Sequence, residues 1–375
     1  MGLPMKAVVT GLGQSQIGRQ LSSSPLELTL DAALAAIADA GLSRSDIDAV
    51  SAYPGGNPPV FDVKDALRLD LTWFDAGAEG PAQLRAFTNA CMAVEVGQAR
   101  HVLVYRTVAM LGGDASETGS AAMSGSFDWL LPYHAYAAPT WFALYAQRFM
   151  QERSITREQL SAIALNARRN AARNPNAVFR DPLGLDDYMA ARMISTPLCL
   201  YDCDAACSGS TALVVSHPDA ARDAPRRSVR VEAFSSALSA RPSLVGWERM
   251  ALWDAAEHLW TKTDLRPADV DVAQLYDGFS TVTLEWIEAL GLCPPREVGA
   301  FVEGGQRIAL TGELPLNTEG GMLSGGRLHG FNHLHEACVQ LRGDAGERQV
   351  PDTPEVAVVG LGGGPIAGCA LLTRG

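Results

Sequence analysis

The segment Leu316–Ala337, LNTEGGMLSGGRLHGFNHLHEA, concentrates side chains that could do chemistry. His329, His333 and His335 follow two Gly-Gly pairs and make up three of the seven histidines in this 375-residue chain. Histidine serves as an acid, a base or a metal ligand near neutral pH. The H-x3-H-x-H spacing turns the last histidine off the helix face that the first two share, which excludes a zinc site made of all three. Acid–base chemistry and the polar face of an ordinary helix remain.

Each histidine has its own expected role. His329 lies two residues after Arg327, in a loop bracketed by glycines where side chains can reach a substrate. We expect His329 to be an acid or a hydrogen-bond donor to an oxyanion, with an ordinary loop residue as the alternative. The other two precede EACVQLRG, which reads as a helix. We expect His333 to line a substrate site and His335 to lie at the surface.

A tyrosine and an aspartate stand where the strand-like run VDVAQLY turns into a helix. Strand ends of this kind are where α/β proteins place functional groups. The phenol of Tyr276, with an ordinary pKa of about 10, needs a donor or a cation such as Arg327 or a histidine to act as a base near neutral pH. A packed strand-end aromatic is the alternative. Asp277 orients the loop or caps the following helix, and capping is favoured.

The seven cysteines do not have the spacing of a metal site. Cys199, Cys203 and Cys207 recur every four residues, whereas zinc sites typically combine C-x2-C pairs, and no second pair follows. An odd number of cysteines in a long chain is typical of a reduced protein of the cytoplasm with buried thiols. We therefore expect a cytoplasmic location and no metal.

Composition excludes several classes of function. The formal net charge of −12 argues against nucleic-acid binding, which needs a basic surface. Hydrophobic residues make up 47% of the chain and charged residues 19%, as in compact enzymes. The apolar window Phe127–Met150 is interrupted by Pro132 and Pro139, so we reject a membrane span there, and the N-terminal residues do not resemble a signal peptide.

The N-terminal residues read as the β–α–β unit of a layered α/β protein. MKAVVTGLG and DIDAVSAY read as strands, and SPLELTLDAALAAIADAGL reads as the helix between them. Ser24 is placed to cap this helix, Pro25 to occupy its first position and Gly41 to close it.

An internal similarity predicts that this unit occurs twice. Asp31–Tyr53 and Asp254–Tyr276 align without a gap, with seven identities in 23 positions. Both read as a helix, a short turn, Asp-x-Asp and a strand ending in tyrosine; chance similarity of short helices is the alternative. We predict two α/β halves, 1–225 and 226–375, with an insertion at about 110–200 that covers a substrate site.

Two duplicated α/β halves, the insertion and a glycine-rich C-terminus together resemble the thiolase superfamily. YAQRFMQERSITREQLSAIALNARRNAARNPNAVFRDPL and ARMISTPLCLYDCDAACSGSTALVVS look most like its sterol-carrier-protein-type branch. The resemblance extends over most of the chain. It implies a thiolase-like α/β fold of five layers, α-β-α-β-α, assembled as a dimer and acting on acyl-CoA.

The chain departs from the thiolase pattern at each catalytic position. Thiolases use an acylated cysteine, the histidine of a Gly-His-Pro motif and a second cysteine near the C-terminus. Here DAGAEGPAQL places Gly77 or a neighbour at the first position, Arg327 replaces the histidine, and Leu361 stands at the third. Cys91 lies too far along, in a helix, and is expected in the core. Acyl transfer through a thioester on the protein is therefore not expected.

The chain is also similar to the lipid-transfer-protein-like aldolases of steroid side-chain degradation, at QLYDGFSTVTLEWIEALGLC and GGMLSGGRLHGFNHLHEACVQLRG. The implied reaction is retro-aldol cleavage of a β-hydroxyacyl-CoA, on a 17-hydroxy-steroid side chain, to a ketosteroid and propionyl-CoA. A base removes the hydroxyl proton, donors stabilise an enolate and an acid protonates the α-carbon, so no thiol is needed. A tyrosine that the resemblance implies near the histidine loop is missing. The implied catalytic residues are Tyr276, His329, Arg327 and Asp277.

The C-terminal run GLGGGPIAG looks like a phosphate-binding loop but lacks Gly-Lys-Ser/Thr and a following helix. In the thiolase fold such a turn packs backbone amides against the thioester. The residues expected to contact substrate or CoA are Gly321, Gly326, His333, Gly362 and Gly363.

The resemblance also implies a partner. The steroid aldolases work with a small DUF35-type protein that carries a zinc ribbon and an OB-like domain. We expect such a subunit here, in a heterotetramer built on a dimer of this chain. No cofactor is expected, because the CoA thioester is the substrate and any zinc would belong to the partner. The alternatives are a non-catalytic acyl-CoA or lipid-binding homologue and an unusual acyl-CoA acetyltransferase.

Overall fold

The computed structural model describes residues 7–53, 58–76, 84–110, 132, 135, 137–222, 224–239 and 249–375. The strands are β1 (Val8–Gln14), β2 (Ala49–Ala52), β3 (Trp73–Asp75), β4 (His101–Val108), β5 (Met193–Ser195), β6 (Leu198–Cys199), β7 (Gly209–Ser216), β8 (Val229–Leu238), β9 (Val272–Leu275), β10 (Val356–Gly363) and β11 (Ile366–Arg374). The helices are α1 (Pro25–Asp39), α2 (Val60–Leu67), α3 (Arg85–Glu95), α4 (Ala138–Arg153), α5 (Arg157–Ala171), α6 (Leu185–Ala190), α7 (Ala251–Trp260), α8 (Ser280–Ala289), α9 (Val298–Val302) and α10 (Phe331–Arg342).

In the described part of the chain, nine strands form one mixed sheet in the order β3-β2-β4-β7-β1-β8-β11-β10-β9, and β5 pairs with β6. The parallel pairs are β2 with β3, β2 with β4, and β9 with β10; the remaining neighbours are antiparallel. The strands on either side of residue 226 meet at the short β1–β8 pairing. The division into two domains at that residue stays a prediction.

Three hydrophobic cores separate the layers. Helices α1 and α2 pack on one face of β2, β4 and β7. Helices α3 and α10 share a second core with strands of both halves, and Cys91 is fully buried in it, as expected. Helices α7 and α8 pack on β9, β10 and β11 together with α4 and α5. Helices and strands therefore alternate as α-β-α-β-α, the order predicted from the sequence.

Helix α1 shows how local sequence sets an element. The Ser24 side chain accepts a hydrogen bond from the Glu27 amide, and the Glu27 carboxylate accepts one from the Ser24 amide. This capping box satisfies backbone groups that the first turn cannot pair. Pro25 occupies the first helical position, and Gly41, with φ of +72°, follows the helix end. The predicted start and stop signals are confirmed.

Part of the predicted insertion supports the glycine-rich segment that carries His329. Helix α5 places Asn170 so that its Nδ2 donates to the Leu316 carbonyl at 2.9 Å. The Phe179 amide donates to the Ser324 carbonyl at 2.9 Å. Residues 111–131, 133, 134 and 136 of the insertion lie outside the described residues, and so does the predicted nucleophile position Gly77. Among the described helices, none has the length and apolar character needed to cross a membrane.

Because α5 supports that segment, its cap should matter for stability. Thr156 accepts from the Gln159 amide in a second capping box. We expect Thr156→Ala to lower the free energy of unfolding by about 1 kcal/mol, measured by urea denaturation. The control is Thr261→Ala, which removes an exposed hydroxyl at the end of α7 and should change stability by less than about 0.5 kcal/mol. Equal effects of the two substitutions would contradict the capping role.

Candidate active site

Tyr276 lies at the end of β9, and its side chain is half-buried between two of the hydrophobic cores. Its amide donates to the Gly360 carbonyl at 2.7 Å, which fixes the strand end against β10. Gly278 leaves room for the ring, because an added Cβ there would lie 2.6 Å from a ring carbon of Tyr276. Burial, with the charge of Asp204, raises the pKa of the Tyr276 phenol above its ordinary value. The phenol therefore stays protonated near neutral pH, and its role as acid or base stays a prediction.

Arg327 and Asp204 form the second part of the site. The Arg327 amide donates to the Ala205 carbonyl at 2.8 Å, and the Asp204 amide donates to the Gly278 carbonyl at 3.2 Å. Arg327 Nη1 lies 3.7 Å from Asp204 Oδ1. Burial raises the pKa of the Asp204 carboxyl to about 7, although Arg327 opposes the shift. The tertiary fold thus brings a carboxyl that titrates near neutral pH next to Tyr276 and Arg327.

His329 is held as a neutral hydrogen-bond donor. Arg106 Nη2 lies 2.8 Å from His329 Nδ1. A guanidinium only donates, so Nδ1 accepts and the imidazole proton is on Nε2. Burial and the charges of Arg106 and Arg327 lower the pKa of His329 to about 3. His329 also has φ of +53°, a left-handed conformation that is uncommon outside glycine and concentrates at functional sites.

The strand ends of both predicted halves meet at this site. Tyr53, at the end of β2, is buried with its ring centroid 5.7 Å from that of His329. The Arg106 guanidinium carbon lies 4.1 Å from the Tyr53 ring centroid, a cation–π contact that helps to hold Arg106 beside the histidine. Tyr53 also contributes to the raised pKa of Tyr276, so the two tyrosines share one environment.

Asp277 does not cap α8, and its predicted capping role is wrong. Its carboxylate is fully buried and accepts from the Met322 amide at 2.7 Å and from the Leu323 amide at 3.2 Å. The residue before α8, Phe279, makes no side-chain cap. Asp277 therefore orients the one-turn π-helix Gly321–Gly325, and its catalytic role stays a prediction.

His333 is buried completely, which contradicts its predicted place in the lining of a substrate site. Its Nε2 lies 3.0 Å from Asp277 Oδ1, and its Nδ1 lies 2.8 Å from Glu319 Oε1. Burial disfavours the imidazolium, but the charge of Glu319 and the bond to Asp277 outweigh it and raise the pKa of His333 to about 10. His333 is thus a buried cation between two carboxylates.

His335 is half-buried, so its predicted surface position is wrong. The cause is that α10 belongs to the central helix layer, where it packs against strands of both halves. Burial lowers the pKa of His335 to about 4.

The predicted substrate-contacting glycines are placed by packing. Gly321 and Gly326 are buried, with φ of +58° and +131°, against Asp277 and Cys207 respectively. Gly362 and Gly363 lie in β10, which forms a hairpin with β11 rather than a phosphate loop. Their contact with a substrate stays a prediction.

All seven cysteines are free and lie within the described residues. Burial is the largest cause that raises the pKa of each thiol, to about 12 for Cys203, Cys207, Cys293, Cys338 and Cys369. A nucleophilic cysteine needs a lowered pKa. Within the described ranges there is also no group of three or more His, Cys, Asp or Glu side chains able to hold a metal ion.

Sequence reasoning selected Tyr276, Arg327 and His329, which the structure brings together, but missed Asp204 and Arg106. Asp204 lies in DCDAACSG, which drew attention only for its cysteines. Arg106 stands near the end of the strand-like ARHVLVYR, so the strand-end argument used for Tyr276 could have found it.

Comparisons with known proteins identify the fold. Residues 232–372 match the family model for a thiolase C-terminal domain-like unit. The solved structure of an Ltp2-ChsH2(DUF35) aldolase superposes with a TM-score of 0.92 at 30% identity, covering 100% of this chain and 99% of that chain. The fold is thiolase-like, as predicted.

Two curated relatives match almost end to end. A steroid side-chain-cleaving aldolase of Thermomonospora curvata is 32% identical, with 98% of each chain covered. A 17-hydroxy-3-oxo-4-pregnene-20-carboxyl-CoA lyase of Mycobacterium tuberculosis is also 32% identical, covering 98% of this chain and 99% of the relative. The chain therefore belongs to the thiolase-like family of steroid side-chain-cleaving aldolases.

The contact between Gly321 and Asp277 predicts a specific sensitivity. An alanine Cβ at residue 321 would overlap Asp277 Oδ2, whereas Gly346 has nearly the same φ, +59°, with nothing within 4 Å. Gly346→Ala should cost about 1 kcal/mol of unfolding free energy through its left-handed backbone. Gly321→Ala should cost at least about 2 kcal/mol more, because the overlap displaces the π-helix. Similar losses in urea denaturation would show that Gly321 is not needed for this contact.

The His333 cation predicts a pH dependence of stability. Its pKa of about 10 in the folded chain exceeds the unfolded value of about 6.5. Its contribution is therefore complete below about pH 6.5 and is lost as the pH rises through about 10. Between about pH 7 and about pH 9.5, the free energy of unfolding of the wild type should fall by up to about 1.4 kcal/mol per pH unit through this group, and His333→Gln should abolish that fall. His335→Gln, whose histidine has a lowered pKa, should keep the wild-type slope; equal slopes in all three proteins would refute the buried cation.

Proposed function

We propose that this chain catalyses retro-aldol cleavage of a β-hydroxyacyl-CoA, on a 17-hydroxy-steroid side chain, giving a 17-ketosteroid and propionyl-CoA. One observation carries the proposal. The structure brings together four polar side chains: Tyr276, Asp204, Arg327 and His329. Thiolases with this fold use cysteines instead, whereas burial raises the pKa of every thiol here. Acid–base groups without an activated thiol suit carbon–carbon cleavage better than acyl transfer. The two relatives named for this chemistry support it.

His329 and Arg327 suit the charge that develops during cleavage. Breaking the Cα–Cβ bond places an electron pair on the thioester as an enolate, and a preorganised donor to that oxygen contributes about 3 kcal/mol. The His329 Nε2–H is such a donor, because Arg106 occupies Nδ1. The neutral imidazole loses no proton in this role. The Arg106 and Arg327 charges that keep His329 neutral also favour an anion beside it.

An aromatic surface beside Tyr276 suits an apolar ring system. Phe279 lies three residues after Tyr276, and its ring stacks on Phe142 of the insertion helix α4 at 4.7 Å between centroids. Gly363 packs against Phe142, since an added Cβ would lie 3.3 Å from the ring. Phe142, Phe279 and Tyr276 all belong to or pack against the same hydrophobic core. A flat polycyclic substrate would bury apolar area against such a surface.

The proposed assembly includes a DUF35-type zinc-ribbon subunit, with a dimer of this chain at the centre of a heterotetramer, and no cofactor of its own. The similar solved structure is described as an aldolase with a DUF35 protein, which supports this partner class. Strand β3 stands at one end of the described sheet. Its Phe74 is 57% exposed and packs against Phe61, which is 68% exposed. A second copy would cover such an edge.

The test is product analysis by mass spectrometry. The protein, co-expressed with a DUF35-type partner, is incubated with a 17-hydroxy-steroid C22-acyl-CoA, and we expect 17-ketosteroid and propionyl-CoA. Tyr276→Phe should reduce turnover by at least about 100-fold, because the α-carbon loses its proton donor. The control is Tyr105→Phe, whose phenol bonds the Pro58 carbonyl in the outer core and should keep full cleavage. Acyl-CoA binding without cleavage would favour the non-catalytic binding homologue.

A further inference from the structure

The Asp204 carboxylate is held in place by its backbone and left open at its side chain. The Asp204 amide donates to Gly278, next to Asp277, and the following Ala205 amide donates to the Met322 carbonyl at 2.8 Å. The segment is thus fixed between the Tyr276 turn and the glycine-rich loop. The side chain is 18% exposed, so part of it reaches solvent. Its ion-pair partner in the described residues is Arg327 at 3.7 Å, which is too long for a hydrogen bond.

Retro-aldol cleavage needs a base for the β-hydroxyl proton, and the other groups of the site do not fit that role. His329 already accepts from Arg106 at Nδ1 and carries its proton at Nε2. Tyr276 keeps its proton because burial raises its pKa. Asp277 is fully buried, with its oxygens engaged by backbone amides and His333. The Cys207 thiol is buried and has a raised pKa, so it forms no thiolate near neutral pH.

We propose, on the basis of the function proposed above, that Asp204 is the general base of the cleavage step and that Tyr276 is its paired acid. The Asp204 side chain is 18% exposed beside Arg327, and its charge acts directly on the Tyr276 phenol. A carboxylate and a phenol at one site can move one proton in and one proton out without any third group.

The step balances in atoms and electrons. An Asp204 oxygen takes the hydroxyl proton, the O–H electron pair forms the ketone C=O bond, and the Cα–Cβ pair moves into the thioester enolate. The Tyr276 hydroxyl then gives its proton to the α-carbon, which releases the shortened acyl-CoA. The protonated Asp204 returns a proton to the tyrosinate, since the carboxyl is the stronger acid. No oxidant, reductant or water is consumed.

The proposal predicts how the rate depends on pH. The groups that face Asp204 are Arg327, which lowers its pKa, and Asp277, which raises it; Tyr276, Cys203 and Cys207 in turn feel its charge. Burial brings the pKa of Asp204 to about 7. The active form is the carboxylate, so kcat/KM should rise with pH to a plateau through about 7.

The first experiment compares Asp204→Asn with wild type in the complex with the partner subunit, using the steroid acyl-CoA above. We expect kcat to fall by about 100-fold to about 10,000-fold and the rise near pH 7 to disappear. Glu285→Gln is the matched control: it removes another buried carboxyl, with a pKa raised to about 8, that contacts Trp253 outside the site. This variant should keep the wild-type rate and pH profile.

A second variant tests the assignment without removing the carboxylate. Arg327→Gln removes the cation that lowers the pKa of Asp204, so the rise in kcat/KM should move to higher pH. If wild type cleaves the substrate but Asp204→Asn retains its rate within about threefold, or Arg327→Gln leaves the rise unmoved, Asp204 is not the base. If wild type itself gives no ketone, the proposed function fails, and this assignment fails with it.

Discussion

The buried carboxylate of Asp277 is the interaction on which the site depends. It accepts two backbone amides from the glycine-rich loop and contacts the His333 side chain of α10. Buried carboxylates are costly unless they are paired and hydrogen-bonded, and these contacts meet that requirement. The loop that leads to Arg327 and His329 is consequently tied to the strand end that carries Tyr276. One buried carboxylate thus holds the end of β9 at a fixed distance from the glycine-rich loop.

Charge is distributed so that the titratable side chains of this region take different protonation states. His333, between Asp277 and Glu319, is a cation because two carboxylates surround it. His329, four residues earlier, is neutral because burial and the charges of two guanidiniums lower its pKa. Two histidines of one short segment thus take opposite charge states: the first is neutral beside two arginines, and the second is a cation between two carboxylates. Burial keeps the Tyr276 phenol protonated, and it also raises the pKa of the Asp204 carboxyl to about 7.

The layered fold and the position of Tyr276 could be predicted because they depend on local signals. Alternating strand and helix patterns, the Ser24 cap and the internal similarity are all readable over short windows. The roles of Asp277 and His333 were mispredicted because they depend on the π-helix Gly321–Gly325, a rare turn without a sequence signature. Asp204 was missed because its burial beside Arg327, which sets its pKa, arises only when two distant segments meet.

Tyr53 and Tyr276 occupy equivalent positions of the internal similarity but have different surroundings. Tyr53 is buried beneath Arg106, beside His329 and Phe331, so its ring positions the cation that fixes the His329 tautomer. Tyr276 is half-buried, so part of the residue reaches solvent. Their environments differ mainly in what covers each ring, since both stand directly after a buried strand that pairs in parallel. The same fold therefore holds acid–base groups without a reactive thiol. The end of β2 is packed and positions Arg106 and His329, whereas the end of β9 leaves Tyr276 partly exposed.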